Sequence, residues 1–431
     1  MIWAKEEMLS RENLQNLQLE RLQQTIAMVY NHVPFYKKKL DEFGIKPADI
    51  KSLEDITLLP FTNKDDFRDN YPYGLFAVPM EKIVRLHASS GTTGKPTVVG
   101  YTQNDLDNWT EVVARIVTQA GVTRGDIVQV AFGYGLFTGA FGLHYGLEKV
   151  GAAVVPTSSG GTEKQIMLMK DFGTTVLVST PSYALHMAEV AEKMNVINDL
   201  KLRLGLFGAE GCSEEMRREI EKRWGIVATD NYGLSEVIGP GVSGECGCKD
   251  GLHINEDHFF VEVIDPVTLK PVHPGEKGEL VFTTLTKEAL PVLRYRTKDI
   301  SHLNISPCSC GRTTARMAKV SGRSDDMLII RGVNVFPSQI ESVLIDIEGI
   351  APHYQLVVTK RNHLDELEIK VEVTAQAMAK GQLEMQRLEK TISRRLQGVL
   401  ALRARVNLME PFSMERFQGK ARRVVDLRQA M

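Results

Sequence analysis

The stretch DIVQVAF, residues 126–132, is the first of three short apolar runs that decide the fold class, and it is followed by GAAVVP (151–156) and TTVLVS (174–179). Runs of this length, bounded by Gly, Pro or Asp, are typical of buried strands. Helical patterns follow at residues 183–193 and 214–223. Strand–helix alternation predicts an α/β fold with parallel or mixed sheets and helices on their faces. In that architecture ligands bind at the carboxyl ends of the strands.

The pattern changes between about residues 250 and 320. Short strands such as FFVEVID (259–265) and GELVFTT (278–284) are separated there by Pro and Gly turns. This spacing predicts a small antiparallel or barrel-like β unit.

The tail that follows SGRSDD (321–326) has a different character. A helix opened by Pro337 and Ser338 precedes the alternating strand LEIKVEV (367–373). A second helix is indicated by four apolar residues at four-residue spacing, namely Leu388, Ile392, Leu396 and Leu400. We therefore expect a small α+β domain of about a hundred residues at this end of the chain.

Composition excludes several classes of protein. The 431 residues are 43% hydrophobic and 25% charged, which is ordinary for a globular protein and argues against disorder. The formal net charge of -2 gives no basic excess, so we expect no nucleic-acid partner. The N-terminus lacks a secretory pattern, and no run approaches the roughly 18 apolar residues of a membrane helix. A cytoplasmic protein without membrane contact is the default expectation.

The sharpest motif is SSGTTGKPT, residues 89–97. Its glycines permit positive φ and let backbone N–H groups approach an anion, while four hydroxyls and one ammonium add further donors. It is not a Walker loop, because only two residues separate Gly91 from Gly94 and Pro96 follows Lys95. This donor density predicts a polyphosphate-binding loop. The alternative is a solvated Gly/Ser/Thr turn.

Two C-x-C pairs flank the region of short strands, in ECGCKDGLH (245–253) and PCSCGR (307–312). An odd count of five cysteines argues against a disulfide framework. Four thiolates at this spacing predict a structural Zn²⁺ site, either Cys₄ or Cys₃His. The candidate ligands, any four of which would suffice, are Cys246, Cys248, His253, Cys308 and Cys310. Free thiols are the alternative.

Further strings follow the phosphate loop in order: DNYGLSE (230–236), YRTKD (295–299), GRSDDMLIIRGVNVFPSQIE (322–341) and QGKARR (418–423). Together with SSGTTGKPT, this series resembles the adenylate-forming superfamily of acyl-CoA synthetases. The hinge string, the YRTKD variant and the short length most resemble its phenylacetate–CoA ligase branch. The resemblance implies an acid–CoA ligase that uses ATP, Mg²⁺ and coenzyme A and forms an acyl-adenylate.

The resemblance also implies roles for individual residues. Tyr232 would stack on adenine, Glu236 would hold Mg²⁺ as a catalytic residue, and Asp299 would accept hydrogen bonds from both ribose hydroxyls. Arg323 would assist at the ribose or the phosphates. The other residues implied for ATP or AMP binding are Ser89, Ser90, Gly91, Thr92, Thr93, Gly94, Lys95, Gly208, Ala209, Glu210, Asp230, Asn231, Gly233 and Ser235.

The catalytic lysine implied by the family is Lys420, which would contact the substrate carboxylate and the α-phosphate. A solvated basic tail is the alternative for this segment. The family pattern also implies an adenylation domain of residues 1–324 and a mobile C-terminal domain of residues 325–431, with Asp325 as the hinge. Arg331 and Gly332 would lie by the path of coenzyme A. Relatives suggest a homodimer.

The sequence gives less information about which carboxylic acid is the substrate. The segment FGYGLFTGAFGLHYG (132–146) carries Tyr134, Phe137 and Phe141, which the resemblance places beside the acyl pocket. An aromatic lining suits an aryl ring, so phenylacetate is the first expectation. Indoleacetate, benzoate-like and short-chain acids stay open, as does a packed core helix. Two other functions also stay open: an enzyme that loads a carrier protein, and a non-catalytic sensor of nucleotide or acyl-adenylate.

Overall fold

The computed structural model describes residues 1–89, 96–325, 328–330, 333–361, 364–400, 402–417, 421 and 423–428. The α-helices are α1 (Arg11–His32), α2 (Pro34–Glu42), α3 (Lys64–Asp69), α4 (Gln103–Ala120), α5 (Thr138–Val150), α6 (Thr162–Phe172), α7 (Pro181–Lys193), α8 (Glu214–Trp224), α9 (Pro337–Ile345), α10 (Ala375–Ala379) and α11 (Gln382–Leu400). Short 3₁₀ helices cover Lys5–Met8, Pro47–Asp49, Glu54–Leu58, Met80–Lys82 and Ile197–Asp199.

The strands are β1 (Arg85–Ala88), β2 (Val98–Tyr101), β3 (Ile127–Val130), β4 (Ala153–Val155), β5 (Val176–Ser179), β6 (Leu204–Gly208), β7 (Val227–Leu234), β8 (Gly239–Glu245), β9 (Leu252–Ile254), β10 (Phe259–Ile264), β11 (Gly278–Thr284), β12 (Tyr295–Ser301), β13 (Leu303–Asn304), β14 (Arg316–Met317), β15 (Gly322–Arg323), β16 (Leu328–Ile330), β17 (Val333–Val335), β18 (Ile350–Arg361), β19 (Leu364–Val373), β20 (Arg405–Met409) and β21 (Val424–Asp426).

A nine-stranded mixed sheet forms the centre of the molecule, in the order β13-β14-β9-β8-β7-β6-β5-β3-β4. The strands from β7 to β4 pair in parallel, and the others pair antiparallel. Alternate side chains point to opposite faces of a sheet. Val176 and Val178 therefore pack in the core shared with α4 and α5, whereas Leu177 packs with α6, α7 and α8. The predicted α/β alternation is confirmed.

Close packing of α4 against α5 depends on glycine. An ideal Cβ on Gly142 would lie 2.5 Å from Cζ2 of Trp109 and 2.7 Å from Cγ of Pro240, so no larger residue fits without displacement. The indole N–H of Trp109 donates to the Pro240 carbonyl over 2.8 Å and thereby joins α4 to β8. Because Gly142 lies against both Trp109 and Pro240, α5, which carries the predicted acyl-pocket residue Phe141, packs closely on α4 and β8.

The region of short strands contributes to two sheets. Strands β10, β11, β12 and β15 form a four-stranded antiparallel sheet in that order. Within the described chain its first and last strands do not pair, so this unit is an open antiparallel sheet rather than a closed barrel. Strands β9, β13 and β14 instead extend the central sheet.

The C-terminal part has its own hydrophobic core. Strands β20, β19, β18 and β21 form its sheet, and α9 and α11 pack against it. The four-residue spacing predicted for α11 is confirmed, because Leu388, Ile392, Leu396 and Leu400 are all buried in this core. We call residues 328–428 the small unit and the preceding residues the large unit. Among the described residues, none of the helices has both the length and the apolar character that crossing a bilayer demands.

Candidate active site

Two neighbouring parallel strands bring the predicted adenine-binding segments together. Strands β6 and β7 pair with Gly208 opposite Asn231, so the residues after β6 lie beside the DNYGLSE segment. An ideal Cβ on Gly208 would lie 2.6 Å from the carbonyl oxygen of Asn231, which explains why glycine is needed there. The side-chain amide of Asn231 donates to the carbonyl oxygen of Phe207 over 2.7 Å. The next residue, Ala209, adopts a positive φ of 68° and turns the chain at this edge.

The carboxylate of Asp299 lies between two residues that the sequence analysis singled out. The hydroxyl of Tyr232 donates to Oδ2 over 2.6 Å, and Nη1 of Arg323 donates to Oδ1 over 3.0 Å. The antiparallel pairing of β12 with β15 sets Asp299 opposite Arg323. Burial, followed by the charge of Asp299, raises the pKa of Tyr232 well above its usual value, so the phenol stays protonated. An ionised carboxylate only accepts hydrogen bonds, which suits it to the two hydroxyls of a vicinal diol.

Arg323 also connects this carboxylate to the predicted hinge. Its Nε and Nη2 donate to Oδ1 and Oδ2 of Asp325 over 2.8 and 2.9 Å. One guanidinium therefore bridges the predicted ribose ligand and the predicted pivot.

Glu236 supplies a buried carboxylate at the end of the β7 segment, with 7% of its surface exposed. The ring of Tyr295 lies near it. Burial and then the charge of Glu236 raise the pKa of Tyr295 well above its usual value. The hydroxyl of the preceding Ser235 lies 3.0 Å from that of Thr138, at the start of α5. An oxygen ligand of this kind suits Mg²⁺, which is commonly held by one or two carboxylates together with substrate phosphates.

The phosphate loop is anchored at its base, although Ser90, Gly91, Thr92, Thr93, Gly94 and Lys95 lie outside the described residues. The backbone N–H of Ser89 donates to the Thr97 carbonyl over 2.9 Å, which continues the antiparallel β1–β2 hairpin. The N–H of Ala88 donates to the carbonyl of Leu136 over 2.9 Å. Since Leu136 lies two residues before Thr138, the base of the loop and the Ser235–Glu236 segment meet at the start of α5.

The aromatic segment after β3 is divided between a ring cluster and the surface. The rings of Tyr134 and Phe141 form an edge-to-face pair with centroids 5.3 Å apart. The guanidinium of Arg85 lies 5.4 Å from the Phe141 ring centroid and 4.9 Å from that of Tyr145. Phe137, predicted to share the acyl pocket, is 41% exposed. The structure therefore brings the Tyr134 and Phe141 rings together, and Phe137 is the more exposed residue that directly precedes α5.

The carboxylate of Glu210, predicted to bind nucleotide, is occupied by two backbone donors. Oε1 accepts from the N–H of Ser182 over 2.7 Å, and Oε2 accepts from the N–H of Ala421 over 3.1 Å. Glu210 therefore joins the large unit to the small unit at the residue that follows Lys420 in the chain. Lys420 itself, like Arg331 and Gly332, lies outside the described residues.

Four of the five predicted zinc ligands converge. The ligand atoms of Cys246, His253, Cys308 and Cys310 all lie within 4.8 Å of one another. Sγ of Cys246 is 3.8 Å from Sγ of Cys308, and Sγ of Cys310 is 3.4 Å from Nε2 of His253. A tetrahedral centre with Zn–S bonds of about 2.3 Å requires sulfur atoms about 3.8 Å apart. Cys248 is exposed, and its sulfur contacts the Ser309 hydroxyl at 3.1 Å instead.

The second nitrogen of His253 also has a partner, because Nδ1 lies 3.0 Å from the Thr314 hydroxyl. Partners of this kind orient the ring of a metal-binding histidine. The arrangement fits a Cys₃His site that would fasten β9 to the loop between β13 and β14.

Comparison with known proteins identifies the family. The family model described as AMP-binding enzyme matches residues 18–285, and that of the AMP-binding enzyme C-terminal domain matches residues 332–428. The chain belongs to the AMP-binding enzyme family.

Relatives of this AMP-binding enzyme match over almost the whole chain. It is 51% identical over 423 residues to the phenylacetate-coenzyme A ligase of Aromatoleum evansii, covering 97% of this chain and 96% of that one. It is 50% identical over 422 residues to the phenylacetate-coenzyme A ligase of Escherichia coli strain K12, with the same coverage.

Solved structures of 2-hydroxyisobutyryl-CoA ligase, 30% identical, resemble this AMP-binding enzyme to different degrees. The postadenylation state with R3-HIB-AMP gives a TM-score of 0.93, covering 99% of this chain and 92% of that one. The thioesterification state with 2-HIB-AMP and CoA gives 0.72, covering 98% and 91%. The two units of this chain therefore have an arrangement close to that relative's postadenylation state.

Sequence reasoning missed several residues around the site of this AMP-binding enzyme. Tyr295 is the first residue of the YRTKD string. No function was assigned to it from the sequence, although its aromatic side chain within that motif could have marked it as a residue of the site. Arg85 stands in the strand before the phosphate loop, and only the fold reveals that it lies on the Phe141 and Tyr145 rings. Lys287 is 3% exposed with its ammonium 3.7 Å from the ring centroid of Tyr101, a contact without any local sequence signal.

Proposed function

We propose that this AMP-binding enzyme is an ATP-dependent acid–CoA ligase with phenylacetate as its acid substrate. The acid and ATP would give phenylacetyl-AMP and pyrophosphate, and the adenylate and coenzyme A would then give phenylacetyl-CoA and AMP. The observation that carries the proposal is the carboxylate of Asp299, held between the Tyr232 hydroxyl and the Arg323 guanidinium beside the β6–β7 edge. Over 97% of its length the chain is 51% and 50% identical to two phenylacetate-coenzyme A ligases, which supports the choice of reaction and acid.

In the first half-reaction the carboxylate oxygen of the acid attacks the α-phosphorus of ATP, and the bond to the pyrophosphate oxygen breaks. The chain contributes positioning and charge stabilisation rather than a nucleophile. Asp299 accepts the ribose hydroxyls, Tyr232 lies along the adenine, and the donors of residues 89–95 hold the departing pyrophosphate. Lys420 offsets the negative charge that develops on the reacting oxygens.

Glu236 is the residue that would hold Mg²⁺. Its buried carboxylate next to the base of the phosphate loop matches the preference of this ion for carboxylate and phosphate oxygens. When bound, Mg²⁺ would neutralise charge on the ATP phosphates.

In the second half-reaction the thiolate sulfur of coenzyme A attacks the acyl carbonyl carbon, and the bond to AMP breaks. The groups required for this step differ from those of the first, so residues 325–431 would act as a mobile domain that turns about Asp325 on the adenylation domain of residues 1–324. Arg331 and Gly332 would then lie along the pantetheine path. The separate hydrophobic core of the small unit supports an independent body.

The acyl pocket would be lined by Tyr134 and Phe141. Their edge-to-face geometry leaves aromatic surface suited to a further aryl ring. Phe137, which directly precedes α5 and is 41% exposed, stays a predicted third lining residue.

The Cys₃His cluster would bind one structural Zn²⁺. The distances between its ligand atoms match tetrahedral coordination, and four protein ligands leave no open position, as in structural rather than catalytic zinc sites. The family resemblance further predicts a homodimer. ATP and coenzyme A as substrates, together with five cysteines that form no disulfide in the structure, favour the cytoplasm.

The proposal is tested by supplying ATP, free coenzyme A and a panel of acids and measuring AMP and thioester together. Phenylacetate should give the highest kcat/KM, and AMP should equal acyl-CoA. A carrier-loading enzyme would instead release pyrophosphate without using free coenzyme A, and a sensor would release neither product.

A further inference from the structure

Glu189 of α7 is the centre of a charged contact between the two units. Nε2 of His353, on β18, lies 2.9 Å from its Oε1, and Nε of Arg416 donates to its Oε2 over 3.3 Å. Only 11% of the Glu189 side chain is exposed. Although burial raises its pKa, the nearby His186, with Nδ1 3.8 Å from Oε2, and the hydrogen bond with His353 hold the pKa of Glu189 well below its ordinary value. The group is therefore an anion that faces the small unit.

The guanidinium of Arg416 is oriented within the small unit, independently of its contact with Glu189 in the large unit. Nη1 and Nη2 of Arg416 donate to the carboxylate of Glu372 over 2.8 and 2.6 Å, within the small unit. This fork-like pairing orients the guanidinium, and its remaining Nε points to Glu189. Because the geometry is set inside the small unit, docking immobilises little additional side-chain freedom.

Glu210 forms a second contact across the same interface. Its two oxygens accept from the N–H groups of Ser182, at the start of α7, and of Ala421 in the small unit. Both carboxylates therefore belong to the large unit, and both receive donors from the small unit. Ala421 directly follows Lys420, so this contact fixes the chain next to the proposed catalytic lysine.

These contacts form in an arrangement of the two units that resembles the postadenylation state of a relative. The same relative gives a TM-score of 0.93 in its postadenylation state and 0.72 in its thioesterification state, at nearly equal coverage and identity. A turn of the small unit large enough to produce that difference would separate Arg416 and His353 from Glu189. The contacts around Glu189 are thus specific to one of the two arrangements.

We propose that Glu189 is a positioning residue for the adenylation half-reaction, acting through His353 and Arg416 to hold the small unit in the adenylating arrangement. This inference rests on the proposed function, since it assigns one half-reaction of the ligase to one arrangement. The thioester-forming half-reaction uses the other arrangement and does not need the contact. Glu210 supports the same docking at Ala421.

The experiment compares Glu189→Ala with Glu192→Ala. Glu192 lies on the same helix, and its carboxylate is 3.9 Å from Arg223 within the large unit, so it is a matched control. Adenylation is measured as acid-dependent pyrophosphate release in a single turnover without coenzyme A. Thioester formation is measured separately from supplied phenylacetyl-AMP and coenzyme A. Melting temperatures of both variants show whether each is folded.

Glu189→Ala should lower the adenylation rate constant roughly 10-fold or more, because a charge-assisted hydrogen bond contributes at least the free energy of a tenfold change. Thioester formation from supplied adenylate should stay within about twofold of wild type, as no contact needed there is lost. Glu192→Ala should leave both rates unchanged. Equal loss of both half-reactions in Glu189→Ala, or loss of neither, would overturn the inference.

A double-mutant cycle separates the contact from a general effect on folding. If Glu189 and Arg416 act together, Glu189→Ala combined with Arg416→Ala should adenylate no more slowly than the slower single variant. Additive losses in the double variant would show that the two side chains do not act through each other and would also overturn the inference. Failure of the wild-type enzyme in both half-reactions would instead refute the proposed function.

Discussion

Replacing Asp299 with asparagine tests the proposed nucleotide site directly. The substitution keeps the size of the side chain but removes its charge and replaces one acceptor oxygen with an amide donor. In the structure both oxygens are already engaged, Oδ2 by the Tyr232 hydroxyl and Oδ1 by Arg323. With its oxygen towards Arg323, the side-chain amide would turn its NH₂ group towards Tyr232, whose hydroxyl would then have to accept instead of donate. The amide nitrogen donates and does not accept, so we expect the asparagine to accept fewer hydrogen bonds from the ribose hydroxyls than the carboxylate.

The magnitude follows from the hydrogen bonds that are lost. One charge-assisted hydrogen bond contributes about 1.5–3 kcal/mol, which corresponds to roughly 10- to 100-fold in kcat/KM for ATP. Arg323 keeps its bidentate contact with Asp325, so the guanidinium is not left without a carboxylate and the protein should fold. The KM for phenylacetate, whose pocket lies elsewhere, should change by less than about twofold.

The assay is steady-state pyrophosphate release with ATP varied at saturating phenylacetate. Asp107→Asn is the control, because Asp107 lies on an exposed part of α4 and contacts only Gln103 among the hydrogen bonds described for it. If Asp299→Asn retains the wild-type kcat/KM for ATP while Asp107→Asn does the same, Asp299 does not hold the nucleotide and our assignment of the site is wrong.

Three other substitutions test packing, metal binding and electrostatics. Gly142→Ala should destabilise the fold by about 1–3 kcal/mol through overpacking, measured by urea unfolding, whereas Gly135→Ala, with no atom near its Cβ, should be neutral. Native mass spectrometry should find one Zn²⁺ per chain, lost in Cys308→Ser and kept in Cys248→Ser; wild-type protein without metal would contradict the site. Lys287→Met should stabilise the protein at pH 7 by on the order of 1 kcal/mol, because burial lowers the pKa of this lysine to about 8 and the cost of that burial exceeds its cation–π contact. That gain should shrink between pH 8 and 10.5, where the unfolded chain still binds a proton that the folded protein has released, so wild-type stability rises.

The sequence predicted individual strands correctly where a local run of apolar residues reflects burial of the strand in the sheet. The runs at 126–132 and 174–179 became β3 and β5, because strands covered on both faces need uninterrupted apolar residues. The order of the strands within the sheet could not be predicted from the sequence. Antiparallel β9 and β14 extend the central sheet through pairings between residues about sixty positions apart, and no local pattern encodes such a pairing.

In the candidate site, too, local motifs were predicted from the sequence, whereas contacts between distant segments were not. Motif resemblance selected Tyr232, Asp299 and Arg323, and the register of β12 against β15 brings the last two together. The contacts of Glu210 with the small unit were missed, because they depend on how two separately packed units dock. The family resemblance placed Phe137 and Phe141 in one segment but could not show that Phe137 directly precedes α5 and is partly exposed, whereas Phe141 lies within the helix and packs against other rings.

The central claim is tested most directly by following radiolabelled phenylacetate with ATP in a rapid-quench experiment. Before coenzyme A is added, the account predicts phenylacetyl-AMP bound to the enzyme and an equal amount of pyrophosphate. Addition of coenzyme A should convert that adenylate into phenylacetyl-CoA and AMP in equal amounts. Formation of ADP and phosphate, or of thioester without an adenylate that precedes it, would contradict the account.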